Sequence, residues 1–224
     1  MTRPDVSDSE LTRLRRLPDK AKTDRESLNE ILDSGFFAHV GVLDREQPLV
    51  VPVAHVRSGN QILIHGSKAS RLFKALSEGR SATLTVTQLD GLVLARSLFE
   101  SSMNYRCAMI FGKFYALEGN LERRALKEIT ERLLPGRWDH ARQPSEQEIK
   151  ATSTLAIDID QWSVKISEGE PDDTPGDLIS PDGQQLWAGV VPITQSFGEP
   201  IPDRHVPEGT PVPSYIHKWE IRAR

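Results

Sequence analysis

From Phe36 to Leu117 apolar residues recur at every second position, in runs separated by turn signals. A period of two sends alternate side chains to opposite faces of a strand, so this stretch commits the chain to sheet. The runs read as strands over 36–43, 48–57 and 61–65, with turns at 44–47 and 58–60. A helix over 71–78 intervenes. Strands over 82–89, 92–97 and 106–117 follow, with Asp90-Gly91 as a turn. Thr83, Thr85 and Thr87 share one strand face, and Leu84 and Val86 the other. About six amphipathic strands with few helices hide their edges best by closing into a small antiparallel barrel. The 224 residues, 38% of them hydrophobic, suffice for a real core in one large or two small domains.

Helical signals lie at the flanks. Residues 1–22 read as a polar arm in which Leu11, Leu14 and Leu17 form one stripe before Pro18. Thr23-Asp24-Arg25-Glu26 reads as a capping box with Thr23 as cap, opening a helix with Leu28, Ile31 and Leu32 inward and Gly35 as its stop. A second helix spans 121–134 with Ala125, Leu126, Ile129 and Leu133 inward, and Ser145-Glu146-Gln147-Glu148 opens a short third. Further strands are expected over 154–159 and 162–166. There Asp158 and Asp160 alternate with Leu155, Ile157 and Ile159 and form the wet face. An acidic loop spans 168–183 and an apolar segment spans 186–193. The Pro-rich tail from Gln195 carries Tyr215 and Trp219, which calls for a surface to pack on. The domain expectation is an arm over 1–22, a barrel over 23–194 and a tail over 195–224.

The stretch Ile62–Arg71 stands out chemically. An apolar strand ends in His65-Gly66-Ser67-Lys68-Ala69-Ser70-Arg71, where two hydroxyls and two cations cluster before a helix. Ser70 is a good N-cap, and the group could cradle one phosphate. An ordinary strand-to-helix turn remains open on the residues alone. No G-x-x-x-x-G-K-[ST] motif occurs, which argues against triphosphate chemistry. His39, His55 and His65 lie on successive strands and could serve a metal or haem, but no ligand spacing supports a metal. The single cysteine, Cys107, reads as a small buried residue or a thiol without a resolving partner. A net charge of −4 supplies no field for nucleic acid, and no apolar run is long enough for a membrane span. The polar start Met1–Asp5 has no apolar signal core, so a soluble cytoplasmic protein is expected.

Several segments in order carry a resemblance. They are 17–21, His65-Gly66-Ser67 with Ser70-Arg71, 90–97, Met103-Asn104-Tyr105-Arg106, Phe111-Gly112, Leu134-Pro135-Gly136-Arg137-Trp138 and Trp187-Ala188-Gly189-Val190-Val191-Pro192. Over roughly residues 14–193 the chain resembles the pyridoxamine 5′-phosphate oxidase-like flavoproteins, nearest in pattern to the branch that includes nitroimidazole-resistance (Nim-type) proteins. The resemblance implies a mainly β fold: a six-stranded antiparallel Greek-key split barrel with flanking helices, a homodimer with FMN at the interface. It implies that Gly66, Ser67, Ser70 and Arg71 hold the FMN phosphate, with His65 beside the ribose or phosphate. Val51-Pro52-Val53-Ala54 would lie along the isoalloxazine. Tyr105, Arg106 and Cys107 would contribute from the partner or to the phosphate, and Trp187 would pack near the flavin. Leu72 stands where true pyridoxamine phosphate oxidases carry Lys, and Arg204-His205 is adjacent rather than spaced, so vitamin B6 oxidation itself is not implied. The expected function is a small-molecule oxidoreductase with an unidentified substrate or electron donor, its catalytic residues unassigned. A non-catalytic flavin carrier or sensor and a haem- or deazaflavin-binding relative are the alternatives.

Overall fold

The computed structural model describes residues 9–179 and 186–219. The start of the arm, residues 180–185 and the last five residues of the tail lie outside the described residues. In chain order the strands are β1 (Ala21–Lys22), β2 (Phe37–Asp44), β3 (Gln47–Ser58), β4 (Gln61–Ser67), β5 (Ser81–Leu94), β6 (Ser102–Lys113), β7 (Tyr115–Ala116), β8 (Thr152–Asp158), β9 (Gln161–Ser167) and β10 (Gly189–Pro192). The helices are α1 (Arg25–Ser34), α2 (Arg71–Ser77), α3 (Asn120–Leu133) and α4 (Glu146–Ala151).

All strand pairs are antiparallel, in the order β1-β9-β6-β5-β2-β3-β4-β8-β7, with β10 added to β5. Strands β8 and β9 lie near opposite ends of this path, yet only Ile159 and Asp160 separate them in the chain. So short a link forces the sheet to curl until its ends meet, although among the described residues no ladder joins β8 to β9. The result is a mainly β antiparallel barrel, split at that seam and flanked by helices. Its inward residues include Ala38, Val40, Ile62, Ile64, Leu84, Val86, Ile110, Leu155, Ile157 and Trp162. Helix α2 closes one end with Leu72, Phe73 and Leu76 in the same core. Outside the barrel, Ala125 and Ile129 of α3 cover Val56, Leu63 and Ala156 in a smaller core.

Three local expectations are corrected. Asp90-Gly91 is a β-bulge inside one long strand, because β6 pairs with both flanking runs. Gly91 is required by β10: a Cβ there would sit 3.0 Å from Val190 Cγ1 and from the Val191 carbonyl oxygen. Asp24, not Thr23, caps α1, its carboxylate accepting from the Ser27 N–H at 2.8 Å and from the Ser27 hydroxyl. Two bonds to a charged acceptor outweigh one to a hydroxyl. The stripe Leu11, Leu14, Leu17 is not helical: Leu17 adopts φ 55° before Pro18, which excludes the right-handed helix at that position. The last residues of the arm, Ala21 and Lys22, pair with β9. The Ser145–Glu148 capping box forms as expected.

Candidate functional site

Strand β3 is 12 residues long, but its two neighbours use it differently. Strand β2 pairs with Gln47–Ala54, whereas β4 takes only His55–Ser58. Along 47–54 the second edge of β3 therefore meets no strand among the described residues. Pro48 and Pro52 lack an N–H and fit such an edge. Val53 is buried and Val51 packs on the core, while Pro52 is exposed and Ala54 half-buried. Val51–Ala54 thus present an open backbone edge, with two of their four side chains facing inward.

The loop 65–71 begins beside this edge. Ser70 occupies the N-cap position of α2, yet its side chain makes no capping hydrogen bond. Ser67 Oγ accepts from the Ala69 N–H at 3.2 Å, and the Lys68 N–H donates to the Ala151 carbonyl at 3.0 Å. Arg71 Nε donates to Asp44, a carboxylate shared with Arg80 Nη1 at 3.2 Å. The Arg71 hydrogen bond, and the charges of Arg71 and Arg80, hold the Asp44 carboxyl below its ordinary pKa. Gly66 has a packing role: a Cβ there would lie 2.3 Å from Phe73 Cε2. By its sequence position Asp44 marks only a turn. Its meeting with Arg71 depends on how α2 crosses the end of β2.

His65 faces away from the barrel interior. It stands in a cleft of about 330 Å³ with Leu126 and Thr130 of α3, Ile149 of α4, and Arg137, Trp138 and Arg142 of the intervening turn. Burial pushes its imidazole pKa down, so the neutral ring is favoured. Arg142 is paired with Glu148 in a two-pronged contact at 2.9 and 2.8 Å. That pair and the Ser145 cap pull the Glu148 carboxyl down to about 2. The segment Leu134–Trp138 ends α3 and lines this cleft with Arg137 and Trp138. The apolar stripe of α3 and the capping box of α4 were legible, yet nothing local says that they face His65.

The three histidines do not converge. His39 is exposed on β2, and His55 is buried with its Nε2 bonded to the Leu32 carbonyl at 2.9 Å. Among the described residues no three His, Cys, Asp or Glu side chains are grouped to hold a metal. His55 Nδ1 is buried without a partner, and burial lowers the pKa of that ring as well.

Tyr105, Arg106 and Cys107 lie on β6, three strands from β3 along the sheet order. At about 4.8 Å per strand this is roughly 14 Å across the surface. Arg106 Nε and Nη2 donate to Asp90 at 3.0 and 2.8 Å, and Nη1 to Glu30 at 3.0 Å. Cys107 Sγ lies 3.5 Å from Thr87 Oγ1, and burial raises its thiol pKa, which disfavours the thiolate. Trp187 is exposed and precedes β10, which pairs with the far end of β5. Within the chain Val51–Ala54 and the 65–71 loop come together, but not Tyr105–Cys107 or Trp187.

The comparisons agree with this architecture. The family model described as pyridoxamine 5′-phosphate oxidase matches residues 24–166. The FAD and heme binding protein from Mycobacterium smegmatis is 40% identical, with a TM-score of 0.84, over 90% of this chain and 97% of that one. The flavocytochrome Anf3 from Azotobacter vinelandii is 34% identical, with a TM-score of 0.88, over 95% of this chain and 98% of that one. A Bacteroides thetaiotaomicron protein assigned to 5-nitroimidazole antibiotic resistance shares the fold at 20% identity, with a TM-score of 0.56, over 65% of this chain and 86% of that one. Among curated proteins no sequence matches the chain. From its split antiparallel barrel and from these matches together, the chain belongs to the pyridoxamine 5′-phosphate oxidase family.

Proposed function

We propose that the protein is a flavin- and haem-binding oxidoreductase, a homodimer in which β4 separates the two cofactor sites. The observation that carries this reading is His65. Its side chain stands exposed at the cleft, the cleft walls favour its uncharged form, and its ring makes no hydrogen bond to a described residue. It stands in a cleft with apolar walls and arginines, at the start of the hydroxyl-rich 65–71 loop. A neutral imidazole on an apolar floor suits haem iron, and arginines suit its carboxylates. The relatives at 40% and 34% identity, a flavin and haem binding protein and a flavocytochrome by name, support the pairing.

On the other side, the open edge of β3 over Val51–Ala54 offers backbone groups to a flavin ring. Ser67, Ser70, Lys68 and Arg71 offer hydroxyls and charge to its phosphate. The FMN moiety common to FMN and FAD accounts for these contacts. The 40% identical relative binds FAD by name, which favours FAD over FMN as the flavin of this chain. Bound flavin and haem supply the electron chemistry. The protein's part is to hold and orient them, with Arg71 giving up part of its contact with Asp44 to a phosphate. The side chains of Tyr105, Arg106, Cys107 and Trp187 would reach the flavin from the second subunit. The electron donor or final substrate would be a small molecule.

Absorbance spectra after loading with FAD, FMN and haem test the reading. A flavin spectrum and a Soret band are both expected. His65→Ala should remove or shift the Soret band and leave the flavin bands in place. A Soret band that is identical in wild type and His65→Ala would remove haem from this cleft.

A further inference from the structure

The two arginines of the His65 cleft differ in one respect. The charge of Arg142 is matched by the Glu148 carboxylate. Arg137 forms no ion pair with any described carboxylate. Its Nη1 donates instead to the neutral Tyr215 hydroxyl at 3.2 Å, which lies 2.7 Å from His140 Nδ1. Tyr215 belongs to the C-terminal tail, 78 positions away in sequence. The same tail is fixed to the same turn twice more. Trp219 Nε1 donates to the Pro135 carbonyl at 3.0 Å, and the Tyr215 ring lies so close to Gly136 that a Cβ there would sit 2.9 Å from its Cγ. Gly136 also has φ 83°, so both its backbone and its contact call for glycine. The tail thus orients a cation whose charge is left unmatched at the cleft, which suits an anionic group on whatever occupies it.

We propose that Arg137, positioned by Tyr215, selects a cleft ligand that carries a free carboxylate. On the haem reading above, on which this rests, the cleft would prefer haem with free propionates to the same porphyrin with both propionates esterified. Arg142 contributes less to this choice, because Glu148 already occupies its guanidinium.

Titration of the apo protein with haem and with haem dimethyl ester, followed by absorbance, tests this directly. Wild type is expected to favour the free acid by about tenfold or more, the usual scale of a hydrogen bond to a charged group. Arg137→Gln should abolish the preference while binding the ester as wild type does. Tyr215→Phe keeps the ring against Gly136 and removes the hydroxyl, so it should reduce the preference and leave the apo melting temperature unchanged. Equal affinity of wild type for both porphyrins overturns the selection role alone. An Arg137→Gln variant that loses both ligands equally also overturns it, since Arg137 would then act only on cleft structure. Failure of wild type to bind either porphyrin overturns the haem reading and the selection role together.

Discussion

Arg71 and Arg106 are both arginines beside carboxylates, but their surroundings give them different freedom. The Arg71 side chain is 60% exposed and shares its one carboxylate with Arg80. The Arg106 side chain is 15% exposed and bridges Asp90 and Glu30. With most of the Arg71 side chain in solvent, its contact with Asp44 can be exchanged for a phosphate contact at little cost to folding. Removing Arg106 would instead leave two carboxylates facing each other. Arg71→Ala is therefore expected to weaken flavin binding by about 10- to 150-fold, the cost of one charge-assisted contact, with little change in apo stability. Arg106→Ala should lower the apo melting point. Flavin titration beside thermal melts of both variants checks this, and equal flavin affinity in wild type and Arg71→Ala would exclude Arg71 from the site.

At the scale of elements, the join between β4 and α2 carries both core and site. Phe73, on the first turn of α2, lays its ring against Gly66, and both sit next to residues assigned to the phosphate. Gly66→Ala would place a methyl at 2.3 to 2.8 Å from three atoms of that ring. The ring is packed in the main core and has little room to yield. Overpacking of this kind costs about 1–3 kcal/mol. The variant should melt several degrees lower in the apo form, and Phe73→Leu in the same chain should restore part of the loss. A Gly66→Ala melting point equal to wild type would show that α2 shifts freely. The bulge at Asp90 is a second case in which an element serves function and packing at once. By adding a residue to β5 it turns the Asp90 carboxylate toward Arg106.

For the whole molecule, the register of the barrel aligns one outer face. Pro52, His39, Thr85 and Met109 lie in one row across β3, β2, β5 and β6, and Val50, Gly41, Thr83 and Phe111 in the next. On this face Phe37 is 55% exposed and Val50 62%. The same face adjoins the open edge of β3 and carries Cys107. A second copy seated there would cover these apolar residues and bring its own Tyr105–Cys107 and Trp187 toward the flavin edge. Sedimentation at micromolar concentration should report about twice the 25.1 kDa chain mass. Val50→Asp in the middle of the face should shift the species toward monomer and weaken flavin binding with it. A wild-type monomer that retains flavin would exclude the interface.

Period-two alternation, turn residues and caps are local signals, and they were enough to read β2 to β4, β8 and β9, the barrel class and the helix with its capping box at Ser145. The hydroxyls and cations of 65–71 stand out for the same reason, since they are contiguous. Where two signals competed locally, reading the chain alone chose wrongly: Asp90-Gly91 looks like a turn until β6 pairs with both sides of it. Other features depend on residues far apart in the chain. Asp44 reaches Arg71 across 27 positions, Asp33 meets Arg57 across 24, and Tyr215 meets Arg137 across 78. The His65 cleft likewise draws on β4, α3, α4 and the turn between them. Nothing in a single stretch records that those elements meet around one imidazole at the surface. That is decided only when the barrel curls and α3 packs on its outer face, because contact between distant residues is a property of the closed sheet and not of any segment within it.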